Sequence, residues 1–371
     1  MSGFYLKAPN AWKALRYLLL MAVLGPAMAG CGSIEYYAQA IHGHLDLVSK
    51  RRSFDRVLAD PATPPALAER LRTIRALRKF AVTDLALPDN DSYLSYADIH
   101  RDFVVWNVFA APEFSLEPHE SCFLFVGCLT YRGYFSQSAA VDHARSLSAD
   151  GLETYIGGVA AYSTLGWFAD PVLNTMLRWD DERVHTVVLH ELAHQKLYVK
   201  GDSEFNEAFA TAVADEGYHR WQQHTGITGA STMLGQRDEQ FIQLLLSARQ
   251  ELAALYARGS SLSAPQLRTL KGEAFARLRD RYGELRASWD GYAGYDDFMA
   301  RDLNNAKLAS IATYYALVPG FRAALDHVNG DLPRFYQWMD SLGGLDQERR
   351  HACVLAFTRA PADLSADCAV P

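Results

Sequence analysis

The sequence predicts an α+β chain that is predominantly helical and carries a small sheet. Three observations predict it. Apolar residues recur at three- and four-residue spacing over most of the 371 residues. Runs of strand length, rich in β-branched and aromatic side chains, are confined to a central stretch from Phe103 to Leu165. Pro, Gly and Asp clusters punctuate the helical stretches at short intervals. Hydrophobic residues make up 49% and charged residues 21%, which is enough apolar material to bury a large core.

The first thirty residues read as a targeting segment rather than as fold. Lys7, Lys13 and Arg16 precede the short apolar run Leu18 to Leu24, which is too short to span a bilayer comfortably and ends in small residues. Met28-Ala29-Gly30-Cys31 resembles a bacterial lipobox, so residues 1–30 are expected to be a lipoprotein signal peptide and 31–371 the mature chain. A lipid on Cys31 would then tether the protein to a membrane surface without a spanning helix. Gly32, standing where an aspartate would argue for inner-membrane retention, favours the periplasmic face of an outer membrane within the cell envelope. A plain secretory signal or an uncleaved anchor is the alternative. The net charge is −7, and it becomes −10 without the first thirty residues, which hold three basic and no acidic side chains. That balance gives no electrostatic case for a nucleic-acid partner.

The elements follow in order. From Ser33 to Phe80 the pattern is helical, as in Leu67, Leu71, Ile74 and Leu77, with Pro61 to Pro65 separating two helices. Leu87-Pro88-Asp89-Asn90 is a turn. Phe103 to Phe109 and Phe123 to Tyr131 read as strands, Ala139 to Ala149 as a helix, and Tyr155 to Leu165 as a strand. Asp170-Pro171 starts a short helix. Arg183 to Val199 and Ser203 to Thr225 are helices broken at Gly201-Asp202. Arg237 to Arg258 and Ala264 to Leu285 are long, charged and amphipathic, joined at Gly259-Ser260-Ser261, so a helical hairpin insertion is expected at about 237–285. Asn304 to Phe357 is helical, with breaks at Pro319-Gly320, Gly330-Asp331 and Gly343-Gly344. Beyond Cys31, four cysteines allow three connectivities, of which Cys122 with Cys128 and Cys353 with Cys368 is the simplest; buried free thiols are the alternative. The first pair can form only if the chain turns between them, at Val126-Gly127.

His190-Glu191-Leu192-Ala193-His194 is an H-E-x-x-H motif inside an apolar helix. Two histidines at i and i+4 share one helical face and can converge on one Zn²⁺, with Glu191 beside the first ligand as a general base. Twelve histidines make such a motif possible by chance, so a third ligand decides the matter. Glu207 supplies it. His194 and Glu207 lie at equal distances either side of the helix break, so an antiparallel helix pair brings them to one level. Three protein ligands leave a fourth position for water, the mark of a catalytic site. Glu204, at the helix start, and Glu216, too far along it, fit less well. Thr211 is expected near a ligand, and His185 faces away from the metal.

His-Glu-Leu-Ala-His-Gln followed by Asn-Glu-Ala-Phe-Ala resembles the gluzincin peptidases, above all the alanyl-aminopeptidase branch; the spacer here, twelve residues between His194 and Glu207, is shorter. A wider resemblance, to bacterial lipoproteins described as predicted aminopeptidases, runs through Leu87-Pro88-Asp89-Asn90, Tyr131-Arg132-Gly133-Tyr134-Phe135, Ala161 to Phe168, the metal motif and Asn304-Asn305-Ala306. The resemblance implies a zincin-like (thermolysin-like) metallopeptidase core with added helices, hydrolysis of a peptide substrate, and a tyrosine after the third ligand that stabilises the oxyanion. Tyr314 is chosen over Tyr315 for that role, with core packing as the alternative for either. Tyr162 to Leu165 would be an edge strand pairing with substrate or an ordinary core strand, and Arg132 a carboxylate-binding or a salt-bridging residue. The competing function is a lipid-anchored envelope protein that binds zinc and a protein partner without peptidase activity, with the helical hairpin as its docking arm. The oligomeric state stays open.

Overall fold

A computed structural model gives the structure for residues 35–123, 127–227, 231–300 and 303–358, together with Ser365 and Cys368. The expected signal peptide and Cys31 lie outside the described residues. The chain divides into two compact units, Met1–Ser49 and Lys50–Pro371. Of the first, one helix, α1, is described over 35–49. Among the described residues no helix is long and apolar enough to cross a membrane. The expectation of a predominantly helical α+β chain with small sheets holds.

The second unit opens with β1 (Arg52–Ser53), α2 (Phe54–Ala59) and α3 (Pro65–Thr83). Helix α3 buries Leu71, Ile74, Leu77 and Ala81, the stripe its spacing predicts. Strand β2 (Ser95–Ala97), which sequence reasoning misses, pairs antiparallel with β1 and parallel with β8 (Val172–Leu173). Between them lies the larger sheet, built from β3 (Val105–Pro112), β6 (Tyr131–Tyr134) and β7 (Leu152–Val159) in the order β6-β3-β7, antiparallel throughout. Helix α4 (Gln137–Ala149) packs on all three strands.

Three expectations in this stretch need correction, two of strands and one of a helix. Phe123 to Tyr131 is not one strand: Ser121–Phe123 (β4) and Gly127–Leu129 (β5) form a hairpin, and β6 begins only at Tyr131. Gly127 takes a φ of 85°, so the chain does turn there, and Cys122 pairs with Cys128 across the hairpin. Tyr155 to Leu165 is strand only as far as Val159, so Tyr162 to Leu165 is neither an edge strand nor a core strand. Asp170 accepts hydrogen bonds from the backbone N–H and the hydroxyl of Thr164, which folds 160–171 into a loop instead of extending β7. Asp170-Pro171 leads into β8 and a 3₁₀ turn at Met176–Arg178 rather than into an α-helix.

The rest is helical. Helices α5 (Asp181–Lys196) and α6 (Ser203–Thr225) pack as an antiparallel pair. Helices α7 (Ser231–Tyr256) and α8 (Ala264–Ser288) form a hairpin whose seam holds Phe241, Leu245, Leu252, Phe275 and Leu278. After α9 (Asp296–Ala300), α10 (Asn305–Tyr315) packs on α6, β3 and β7. The pleat shows the division of faces. Phe109 and Ala111 of β3 meet Ala306 of α10, while Tyr134, on the other side of β6, meets His143 of α4. Helices α11 (Val318–His327), α12 (Leu332–Gly343) and α13 (Gln347–Ala356) close the unit, and Cys353 is bonded to Cys368.

Candidate metal centre

The site grows from the α5–α6 pair. Asp180 caps α5 by accepting from the Arg183 N–H, and Asp181 and Glu182 complement the dipole in its first turn. Helix α5 ends at Lys196, and Asp202 caps α6 through the Phe205 N–H. The connection is clamped by Asn206, whose side chain accepts from the Val199 N–H and donates to the Val199 carbonyl, both at 2.7 Å. Asp202 is itself held by Arg350 and His351 of α13. Along the seam Gly217 of α6 lets α5 approach closely: a Cβ there would stand 3.1 Å from Leu189 and 2.8 Å from Leu85.

This scaffold brings His190, His194 and Glu207 together. The two imidazole Nε2 atoms are 3.1 Å apart, and Glu207 Oε2 lies 3.1 Å from that of His190 and 3.4 Å from that of His194. The rings stand edge to face with centroids 4.7 Å apart. Three donors bound tetrahedrally to one zinc at its usual bond lengths would be separated by about 3.3 Å. The donor set, two imidazoles and a carboxylate converging on one point, therefore fits a small divalent cation. A second cluster, Glu120 with Cys122 and Cys128, does not, because both sulfurs are committed to a disulfide.

Electrostatics follow from burial. Desolvation raises the Glu207 carboxyl, but the facing His194 and His190 imidazoles outweigh it and hold it at about 2. For His194 the balance also goes to the partner: burial lowers its value, and the Glu207 carboxylate raises it further. Glu191, next along α5, is raised by burial, with the Glu207 charge adding to it against the attraction of the two histidines.

Four further side chains define the surroundings. Tyr131, which sequence reasoning did not single out, donates from its hydroxyl to Glu207 Oε1 at 3.5 Å. Its ring packs at a tilt against Phe109, its register partner on β3. Tyr314 of α10 packs on the same cluster of Phe109, Ala111 and Ala306. Burial and then the Glu207 charge push its hydroxyl well above the usual phenol range, as they do that of Tyr131. Tyr315 is set to about 12 by burial and then by Asp215 and Asp238, so its hydroxyl answers chiefly to a different set of charges. Tyr198, raised to about 12 by burial and Glu207, adds another phenol near Glu207.

The remaining expectations sort by position. Arg132 follows Tyr131 on a pleated strand and so turns to the opposite face, where its guanidinium lies over the Tyr134 ring on the α4 side, away from Glu207. Among the described residues Thr211 makes no hydrogen bond to His190, His194 or Glu207. His185 is buried against Tyr218 and Trp221, away from the centre, and burial lowers it to about 4. Glu204 lies by His351 and Glu216 by Arg220. One turn after Glu191 on α5, Gln195 donates to Ser92 and accepts from Asn90, tying the turn after α3 to the residue beside His194.

Residues 35–354 match the family model described as "Putative aminopeptidase". No curated protein and no solved structure matches the chain.

Proposed function

Because the chain belongs to the aminopeptidase family whose model covers residues 35–354, we propose that it is a zinc-dependent peptidase of the gluzincin type with a zincin-like core, releasing N-terminal residues from peptides. His190, His194 and Glu207 hold the ion and Glu191 is the general base. The observation that carries this reading is the convergence of the three donors, at separations of 3.1, 3.1 and 3.4 Å, from two helices joined by a clamped turn.

A bound zinc ion supplies Lewis acidity to the scissile carbonyl and lowers the pKa of water. The protein's own groups do the rest. Glu191, its basicity increased by burial, takes a proton from the attacking water and delivers it to the departing amine. Tyr131 occupies Glu207 Oε1 and leaves Oε2 directed at the histidines, which fixes the ligand's orientation. Tyr314, kept protonated by burial and by the Glu207 charge, is the hydroxyl available to the developing oxyanion. The reading extends to the N-terminus: a lipid on Cys31 tethers residues 31–371 to the envelope, and a Cys31→Ser chain should appear in the soluble fraction.

The test is metal analysis of the purified mature protein, then digestion of a peptide library with and without chelator. About one zinc per chain and chelator-sensitive trimming of peptides with free N-termini are expected. Zinc retained by a Glu191→Gln chain whose cellular phenotype matches wild type would favour the scaffold alternative, an anchored zinc protein that works by binding a partner.

A further inference from the structure

The loop over 160–171 carries the two large hydrophobic side chains of greatest combined exposure in its neighbourhood. Trp167 is 76% exposed and Phe168 57%. Exposed aromatic rings of this size are costly to leave in water and mark contact sites when they adjoin functional groups.

The loop is built to hold them there. The Trp167 N–H donates to the Thr164 carbonyl at 3.1 Å, and the two residues between, Leu165 and Gly166, have φ of 55° and 81°. Two successive left-handed residues make a tight turn of the I′ kind, and a leucine in that conformation is strained. Asp170 fastens the turn from below through the backbone N–H and hydroxyl of Thr164 at 2.9 and 2.8 Å, and the Thr164 hydroxyl accepts from the Phe168 N–H at 3.0 Å. The turn rests on α5: a Cβ at Gly166 would lie 3.6 to 3.7 Å from the Gln195 side chain. Gln195 stands four residues after Glu191, one turn along the same helix face. Asp170 is also within 3.5 Å of the Gln195 amide. The strained turn is thus pinned over the face of α5 that presents Glu191, and Trp167 and Phe168 follow directly on its Gly166.

We propose that Trp167 and Phe168 form an apolar subsite beside Glu191, selecting peptides with an aliphatic or aromatic side chain next to the scissile bond. The inference rests on the peptidase reading and names its substrate class. An apolar subsite of this kind discriminates between side chains by about 10–200-fold.

The experiment compares the mature wild-type protein with W167A, W167F and the W167A/F168A double variant, on peptides that differ only in carrying Leu, Phe, Ala or Lys beside the scissile bond. Zinc content is measured on each. The wild type should favour Leu and Phe over Ala by at least tenfold in kcat/KM, the double variant should lose most of that ratio, and W167F should keep it. Equal loss on every peptide, or an unchanged ratio in the double variant, overturns the proposal. Binding of the Leu and Ala peptides to E191Q and E191Q/W167A, followed by calorimetry, separates the two readings. If the wild type cleaves peptides and side-chain preference is absent or insensitive to residue 167, the subsite fails and the peptidase stands. If there is neither cleavage nor binding, both fall. A third arm uses vesicles containing anionic lipid: detachment of the double variant with peptide preference intact would make the rings a membrane contact and overturn the subsite.

Discussion

Glu191 and Tyr131 separate two kinds of side-chain work, and each has its own signature. Replacing Glu191 with Gln removes the proton acceptor but no metal donor, so zinc content should stay near one per chain while kcat falls by about 10²–10⁴-fold; a parallel metal assay and rate measurement checks this. Tyr131→Phe removes the hydroxyl that steadies Glu207 Oε1, so zinc affinity should fall by about 10–100-fold, read by competition with a chelating dye. The convergence of His190, His194 and Glu207 was legible in the sequence because helical periodicity alone sets their spacing: two histidines one turn apart and a glutamate at the mirrored distance beyond Gly201. Tyr131 was not legible, because its approach to Glu207 depends on which strand β6 pairs with and in what register. The same pleat that turns Tyr131 inward turns Arg132 out. Asp170 brings a pH dependence. Burial raises it from 3.8 to about 6, so the folded chain keeps a proton there that the unfolded chain has lost. Stability from this group is full below 3.8 and is lost as pH rises through about 6. D170N, which cannot titrate, should flatten that part of a denaturation profile measured from pH 4 to 7.

The elements that matter most are α5 and α6 and the close seam between them. Gly217→Leu would push a branched side chain against Leu189 and Leu85, and overpacking of this sort costs about 1–3 kcal/mol; urea denaturation of the variant should show it, together with weaker zinc retention. Helix positions were read well because burial repeats every three or four residues, as in α3. The strand at Phe103 to Phe109 corresponds to β3, but two others were read poorly for a physical reason. Phe123 to Tyr131 is apolar and strand-like throughout, yet the disulfide hairpin folds it back on itself, and Tyr155 to Leu165 is cut short by Asp170 binding Thr164. Both interruptions come from tertiary partners that no local pattern records.

For the whole molecule, metal and fold should be linked. Zinc at a thousand times its Kd stabilises the folded chain by about 4 kcal/mol, so removing it with chelator should lower Tm, and restoring zinc should recover it; an unchanged Tm would show that the three donors do not share an ion. The family match spans both compact units, from residue 35 to 354. Within the second unit the N-cap of α6, the helix that carries Glu207, is held by Arg350 and His351, about 150 positions later in the chain. Synthesis delivers His190, His194 and Glu207 long before it delivers those partners. In a half-emerged polypeptide the α6 N-cap therefore lacks its partners, and if the two imidazoles and the carboxylate hold an ion, its capture should come late in maturation, once the C-terminal segment has docked.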